Sequence, residues 1–270
     1  MKIDAEVHFW KFNKLTGNPY IRNNKTLNQD YLPEQITQNL HRNGIEGCIA
    51  VAFDDSEVET RFLSELAATH PEILAVIGWL DLYDTMAADK IREFQQYESI
   101  RGYCIEFKND REPSEVVMEL LQENQYCLDF TIRPDTNGDS TSSWLNAHPN
   151  QQFILQKGGS PDTSKGPNAA WENQIRQLAK NKNLSCKLTG LLTGGTNLKS
   201  WSPKDFYPFL DILFDSFGTD RLLFASDWPF LLLAGSYVQW KSLVEKFMEK
   251  YTSDDRDKVF GENAQRLYRI

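Results

Sequence analysis

A chain of 270 residues, 40% hydrophobic and 12% aromatic, carries enough apolar material for one large α/β domain or two smaller ones. Its net charge of -9 argues against nucleic acid or an anionic membrane as partner. No apolar run nears the ~20 residues that span a bilayer, and the charged start Met1-Lys2-Ile3-Asp4-Ala5-Glu6 is unlike a signal peptide.

Lys2 to Phe9 reads as a strand, with Ile3, Ala5 and Val7 on one face and Asp4, Glu6 and His8 on the other. Residues 11–32 hold Gly17-Asn18-Pro19 and few periodic apolar positions, which predicts a long loop, often a functional feature. Pro33 and Gly44 bracket a helix from Leu32 to Asn43. A strand from Gly47 to Phe53 ends at Asp54-Asp55, and Ser56 caps a helix to Thr69 with Glu59 completing a capping box. The alternation continues with a strand at 73–80 ending in Trp79 and Asp81, a helix at 85–97, and a strand at 100–107 ending at Glu106 and Lys108. A helix at 114–123, a strand at 127–132 ending at Arg133-Pro134, and a short helix near 142–147 follow. The strand at 152–156 ends in Lys157-Gly158-Gly159, with a helix at 168–180. The strand at 184–188 runs into Thr189-Gly190, with a helix at 203–217. Leu222 to Ser226 is the eighth strand, ending in Asp227-Trp228-Pro229, and helical stretches at 236–250 and 254–268 close the chain. Eight strands alternating with helices, with no linker or G-x-G-x-x-G, predict a single (β/α)8 TIM-type barrel over residues 1–270.

In such a barrel the working residues sit at the C-terminal strand ends. That rule nominates Glu6, His8, Asp54, Trp79, Glu106, Arg133, Lys157, Thr189 and Asp227. His41, His70 and His148 fall on a helix face or in connections, so His8 alone carries a strand-end imidazole. Lys157 at the lip can act as base, nucleophile or electrostatic clamp, whereas Lys187 needs a buried carboxylate partner and reads first as structural. Trp10 and Trp228 are expected to stack on a ring substrate. Cys48, Cys104, Cys127 and Cys186 form no C-x-x-C pair and lie in apolar runs, which predicts free thiols and a cytoplasmic location.

The stretches Ile3-Asp4-Ala5-Glu6-Val7-His8-Phe9-Trp10, Val76-Ile77-Gly78-Trp79-Leu80-Asp81, Ile132-Arg133-Pro134, Lys187-Leu188-Thr189-Gly190 and Arg221 to Pro229 together resemble the amidohydrolase superfamily. The branch they resemble is amidohydrolase-2, the sugar-lactone hydrolases of the L-fuconolactonase kind. The resemblance implies hydrolysis of a small cyclic ester, with Asp227 as general base on water, assisted by His8. It also marks departures. Glu6 stands where the first strand's leading histidine is expected, Lys157 where the sixth strand presents a histidine, and strand 4 lacks an arginine and a histidine.

Glu6, His8 and Asp227 still make a three-ligand set for one divalent metal such as zinc. The competing expectation is a metal-free site in which Lys157 polarises the carbonyl. Glu6, Trp10, Glu106, Arg133 and Trp228 are expected to contact a small-molecule substrate, and a homo-oligomer is left open. A non-catalytic sugar-acid binder and a metal-dependent decarboxylase are the alternative functions.

Overall fold

The computed structural model describes residues 1–13, 18–107, 112–132, 138–195 and 200–270. Its first half runs β1 (Ile3–Val7), α1 (Pro19–Arg22), α2 (Pro33–Arg42), β2 (Gly47–Val51), α3 (Glu57–Thr69), β3 (Ile73–Trp79), α4 (Ala87–Phe94) and β4 (Ile100–Ile105). It continues through α5 (Glu115–Glu123), β5 (Cys127–Phe130), α6 (Gly138–Ala147), β6 (Phe153–Leu155), α7 (Ala169–Leu178) and β7 (Leu184–Leu188). The last part is α8 (Pro203–Phe217), β8 (Leu222–Phe224), α9 (Tyr237–Phe247), α10 (Ser253–Asp257) and α11 (Asn263–Tyr268). The strands form one parallel sheet in sequential order from β1 to β8, as a (β/α)8 barrel requires. No helix among the described residues is long and apolar enough to cross a membrane.

Because each parallel strand is covered on both faces, most of the strands read as apolar runs. Ile3, Ala5, Ile49, Val51, Ala75, Ile77, Ile154 and Leu223 fill the barrel interior, and Leu267 and Tyr268 of α11 plug it. Helix faces such as Ile36, Leu63, Ile91 and Leu121 cover the outside. All four cysteines are free.

The seam between β1 and β8 is irregular, and this irregularity builds the site. Strict alternation would place Val7 with Ile3 and Ala5. Instead Ile3 and Ala5 lie in the interior cluster while Val7 belongs to the outer one, because the register against β2 slips between Asp4 and Val7. One added residue turns every following side chain to the other face. Asp4 and Glu6 are thereby separated: Glu6 joins the interior, and Asp4 lies beside Tyr237 of α9. The Asp4 carboxylate serves the bulge, accepting the N–H of Glu6 at 3.2 Å and of Ser226 at 2.8 Å. Burial drives its pKa up to about 6, against the pull of those bonds. Asp227 N–H to the Glu6 carbonyl (3.1 Å) and His8 N–H to the Trp228 carbonyl (2.7 Å) complete the seam.

Two local expectations change. The stretch 11–32 is tied at its ends by a Trp10–Tyr31 bridge and contains α1. The capping box at α3 is half formed: Ser56 Oγ accepts the Glu59 N–H, but the Glu59 carboxylate turns to the N–H groups of Phe53 and Asp54.

Candidate active site

Glu6, His8 and Asp227 converge at the barrel mouth from the two sides of the seam. His8 Nε2 lies 3.2 Å from Asp227 Oδ1 and 3.7 Å from Glu6 Oε1. His8 Nδ1 is 2.8 Å from the Val51 carbonyl, which can only accept, so Nδ1 carries a proton and Nε2 faces the carboxylates. Burial alone would strip the second proton, but Asp227 and Glu6 overcome it and raise the imidazole pKa to about 9.

Behind this group sits a buried ion network. Lys187 Nζ lies 2.6 Å from Asp129 Oδ2 and 3.1 Å from Glu6 Oε2, with no exposed surface on any of the three. Burial would push Glu6 up, but Lys187 and His8 outweigh it and hold the carboxyl at about 2. The structural reading of Lys187 is thus the one the geometry matches. Asp129 was not singled out, although an aspartate inside the apolar run Cys127-Leu128-Asp129-Phe130 was a usable signal.

Lys157 and Asp227 line one cavity of about 480 Å³ with Tyr20, Phe53, Ser160, Asp162, Thr193 and Phe230. Asp227 forms its floor at 1% exposure. The Asp227 charge, acting through space, holds Lys157 as an ammonium against burial, and its Nζ sits 5.6 Å from the Phe230 ring centre. Both residues adopt left-handed backbone, at φ 54° and 61°, a conformation that costs ~1–3 kcal/mol and clusters at functional sites. Gly190 makes room for Lys157: a Cβ there would stand 2.7 Å from Lys157 Cβ, at a φ of +73°. On the reading proposed below, in which Lys157 meets the charge on a carbonyl oxygen, a Gly190→Ala protein should keep its far-UV circular dichroism yet lose roughly 10- to 100-fold in kcat/KM, the order of effect a small displacement of such a group has.

The remaining expected contacts fall elsewhere. Trp228 packs edge-on against Tyr31 (5.1 Å) and near Phe9 (6.0 Å), away from the cavity, because its backbone is committed to the seam. Trp10 stands behind Phe53 and Phe230 with its Nε1–H on the Gln29 carbonyl at 2.8 Å. Neither lines the cavity; Phe53, Phe230 and Tyr20 supply the aromatic wall instead. Glu106 is exposed at the end of β4, its carbonyl accepting from the Tyr83 hydroxyl, and it too is outside the cavity lining. Arg133 lies outside the described residues.

The donor set also suits a divalent cation. Atoms of Glu6, His8 and Asp227 lie within 4.8 Å of one another, and Glu6 Oε1 and Asp227 Oδ2 are buried without a hydrogen bond. The Val51 carbonyl holds the far ring nitrogen of His8 as metal-binding imidazoles are commonly held. Lys157, an ammonium, cannot ligate.

An L-fucono-1,5-lactonase of Burkholderia multivorans is 30% identical over all of this chain and 96% of its own length. Another of that name, from Burkholderia ambifaria, is 26% identical over all of this chain and 96% of its own. A crystal structure of an amidohydrolase from Burkholderia multivorans with bound zinc superposes with a TM-score of 0.89 at 28% identity, covering 100% of this chain and 99% of that one. The amidohydrolase family model matches residues 3–270, and the chain belongs to that family.

Proposed function

We propose that the protein hydrolyses a sugar-acid lactone at the mouth of the barrel. The observation that carries this reading is the pairing of a carboxylate on the cavity floor, Asp227, with an ammonium in the same wall, Lys157. One can take a proton from water while the other meets the charge that develops on a carbonyl oxygen. The names of the two Burkholderia relatives support the substrate class.

Asp227 would remove a proton from water as its oxygen bonds to the lactone carbonyl carbon. The carbonyl π pair moves onto oxygen, and Lys157 stabilises the oxyanion. Collapse re-forms the carbonyl and breaks the ring C–O bond, and the departing alkoxide takes the proton from Asp227, leaving a hydroxy acid. His8, held as imidazolium by both carboxylates, orients Asp227 through the 3.2 Å contact. In a metal-bound form His8 would give up its Nε2 proton, and Glu6, His8 and Asp227 would hold a divalent cation, which when bound supplies Lewis acidity and a more acidic water.

A pH-indicator screen of sugar-acid lactones, with and without chelator and alongside elemental analysis, tests the proposal. Acid release from at least one lactone is expected; a protein that opens none of them is not a lactonase. Activity lost with stoichiometric metal on chelation assigns the metal a working role, and activity kept by metal-free protein assigns polarisation to Lys157 alone.

A further inference from the structure

Tyr20 is 54% exposed although it lines the cavity next to Phe230, which is 4% exposed. Folding gains little from a ring left half in water, and α1, which carries it, is a four-residue helix too short to persist alone. Something else must fix it. Asn18 Oδ1 accepts the Tyr20 N–H at 2.9 Å, and Asn18 Nδ2 donates to Asp54 Oδ1 at 2.6 Å. From α3, the Glu59 carboxylate accepts the N–H of Asp54 at 2.7 Å and of Phe53 at 3.1 Å. This strut sets two rings at once: Tyr20 and Phe53 flank Phe230 at centroid distances of 6.1 and 4.6 Å. Burial drives the Glu59 pKa up to about 7, a cost its backbone contacts only partly offset. Across the cavity stand the polar Ser160, Asp162 and Thr193.

We propose that Tyr20 covers the ring of the bound substrate and determines which lactones are accepted, and that Asp54, with Asn18 and Glu59, is the positioning residue that holds it there. The inference rests on the lactone reading of this cavity. The favoured substrate class is a lactone with one apolar face or substituent toward the rings and hydroxyls on the opposite edge.

The test uses full-length Tyr20→Ala, Asp54→Ala and Asp54→Asn proteins, read by lactone kinetics and by hydrogen exchange of the Tyr20 amide. Tyr20→Ala and Asp54→Ala should each raise KM roughly 3- to 10-fold, the scale of one aromatic contact, with kcat within about twofold. Asp54→Asn keeps the acceptor oxygen and should restore both KM and the slow exchange that Asp54→Ala loses. An unchanged KM in Tyr20→Ala, a fall in kcat alone, or an Asp54→Asn protein no better than Asp54→Ala overturns the proposal. If wild type opens no lactone, the catalytic reading fails by itself. Exchange needs no substrate and still decides the strut, which equal Tyr20 protection in wild type and Asp54→Ala would refute.

Discussion

Replacing Asp227 by asparagine should lower kcat by about 10²–10⁴-fold while KM stays within a few-fold of wild type. Asparagine matches the carboxylate in shape, and its amide oxygen can still accept from His8 Nε2, 3.2 Å from Oδ1 in the parent. What it removes is the negative charge and the lone pair of Oδ2, the buried atom that has no hydrogen-bond partner. That charge is also the main reason Lys157 remains an ammonium and one of two reasons His8 stays protonated. The substitution therefore withdraws the base and weakens its electrostatic setting together. Lactone turnover and a melting curve are the measurements. A variant that melts like wild type and keeps full turnover would remove Asp227 from the chemistry and leave Lys157 without its partner.

The barrel was legible because buried parallel strands are apolar runs, and polar residues at their ends could be lined up at one mouth. Glu6, His8, Lys157 and Asp227 were nominated this way; the first two and Asp227 lie together, and Lys157 shares a cavity with Asp227. The tryptophans lie outside the lining of the cavity that Lys157 and Asp227 share, for a physical reason. Position beside a strand end does not tell where a ring points, and the Trp228 backbone is held in the seam by His8. The bulge in β1 was hidden too. It depends on Asp4 receiving the N–H of Ser226, 222 residues away, and no local pattern reports that pairing. Tyr20 escaped because the loop carrying it has no periodicity; its place is set by Asp54.

Lys187→Met should destabilise the protein by about 3–5 kcal/mol, the usual consequence of leaving a buried charge unpaired. Methionine fills similar volume, so the loss is electrostatic: Asp129 and Glu6 keep their charges in the barrel without the ammonium that sits 2.6 and 3.1 Å from them. The pH dependence separates this cause from poor packing. In wild type the Glu6 pKa is depressed from 4.5 to about 2, so its contribution is complete above pH ~4.5 and is lost as pH falls through about 2. Without Lys187, the burial that already raises Asp129 in wild type meets less opposition, and Glu6 is left with His8 and Lys157 alone against its burial. Protonation then relieves the penalty, and the urea midpoint of Lys187→Met should rise more steeply than that of wild type as pH drops from 7 toward 5, a range in which Asp4 and Glu59, raised to about 6 and 7, stabilise both proteins alike. Adding Asp129→Leu to Lys187→Met should recover part of the stability at neutral pH by removing one of the two stranded charges. A deficit that neither acid nor the second substitution relieves would mean that Lys187 acts through its volume, and the ion network behind the site would lose its role in holding Glu6 beside His8.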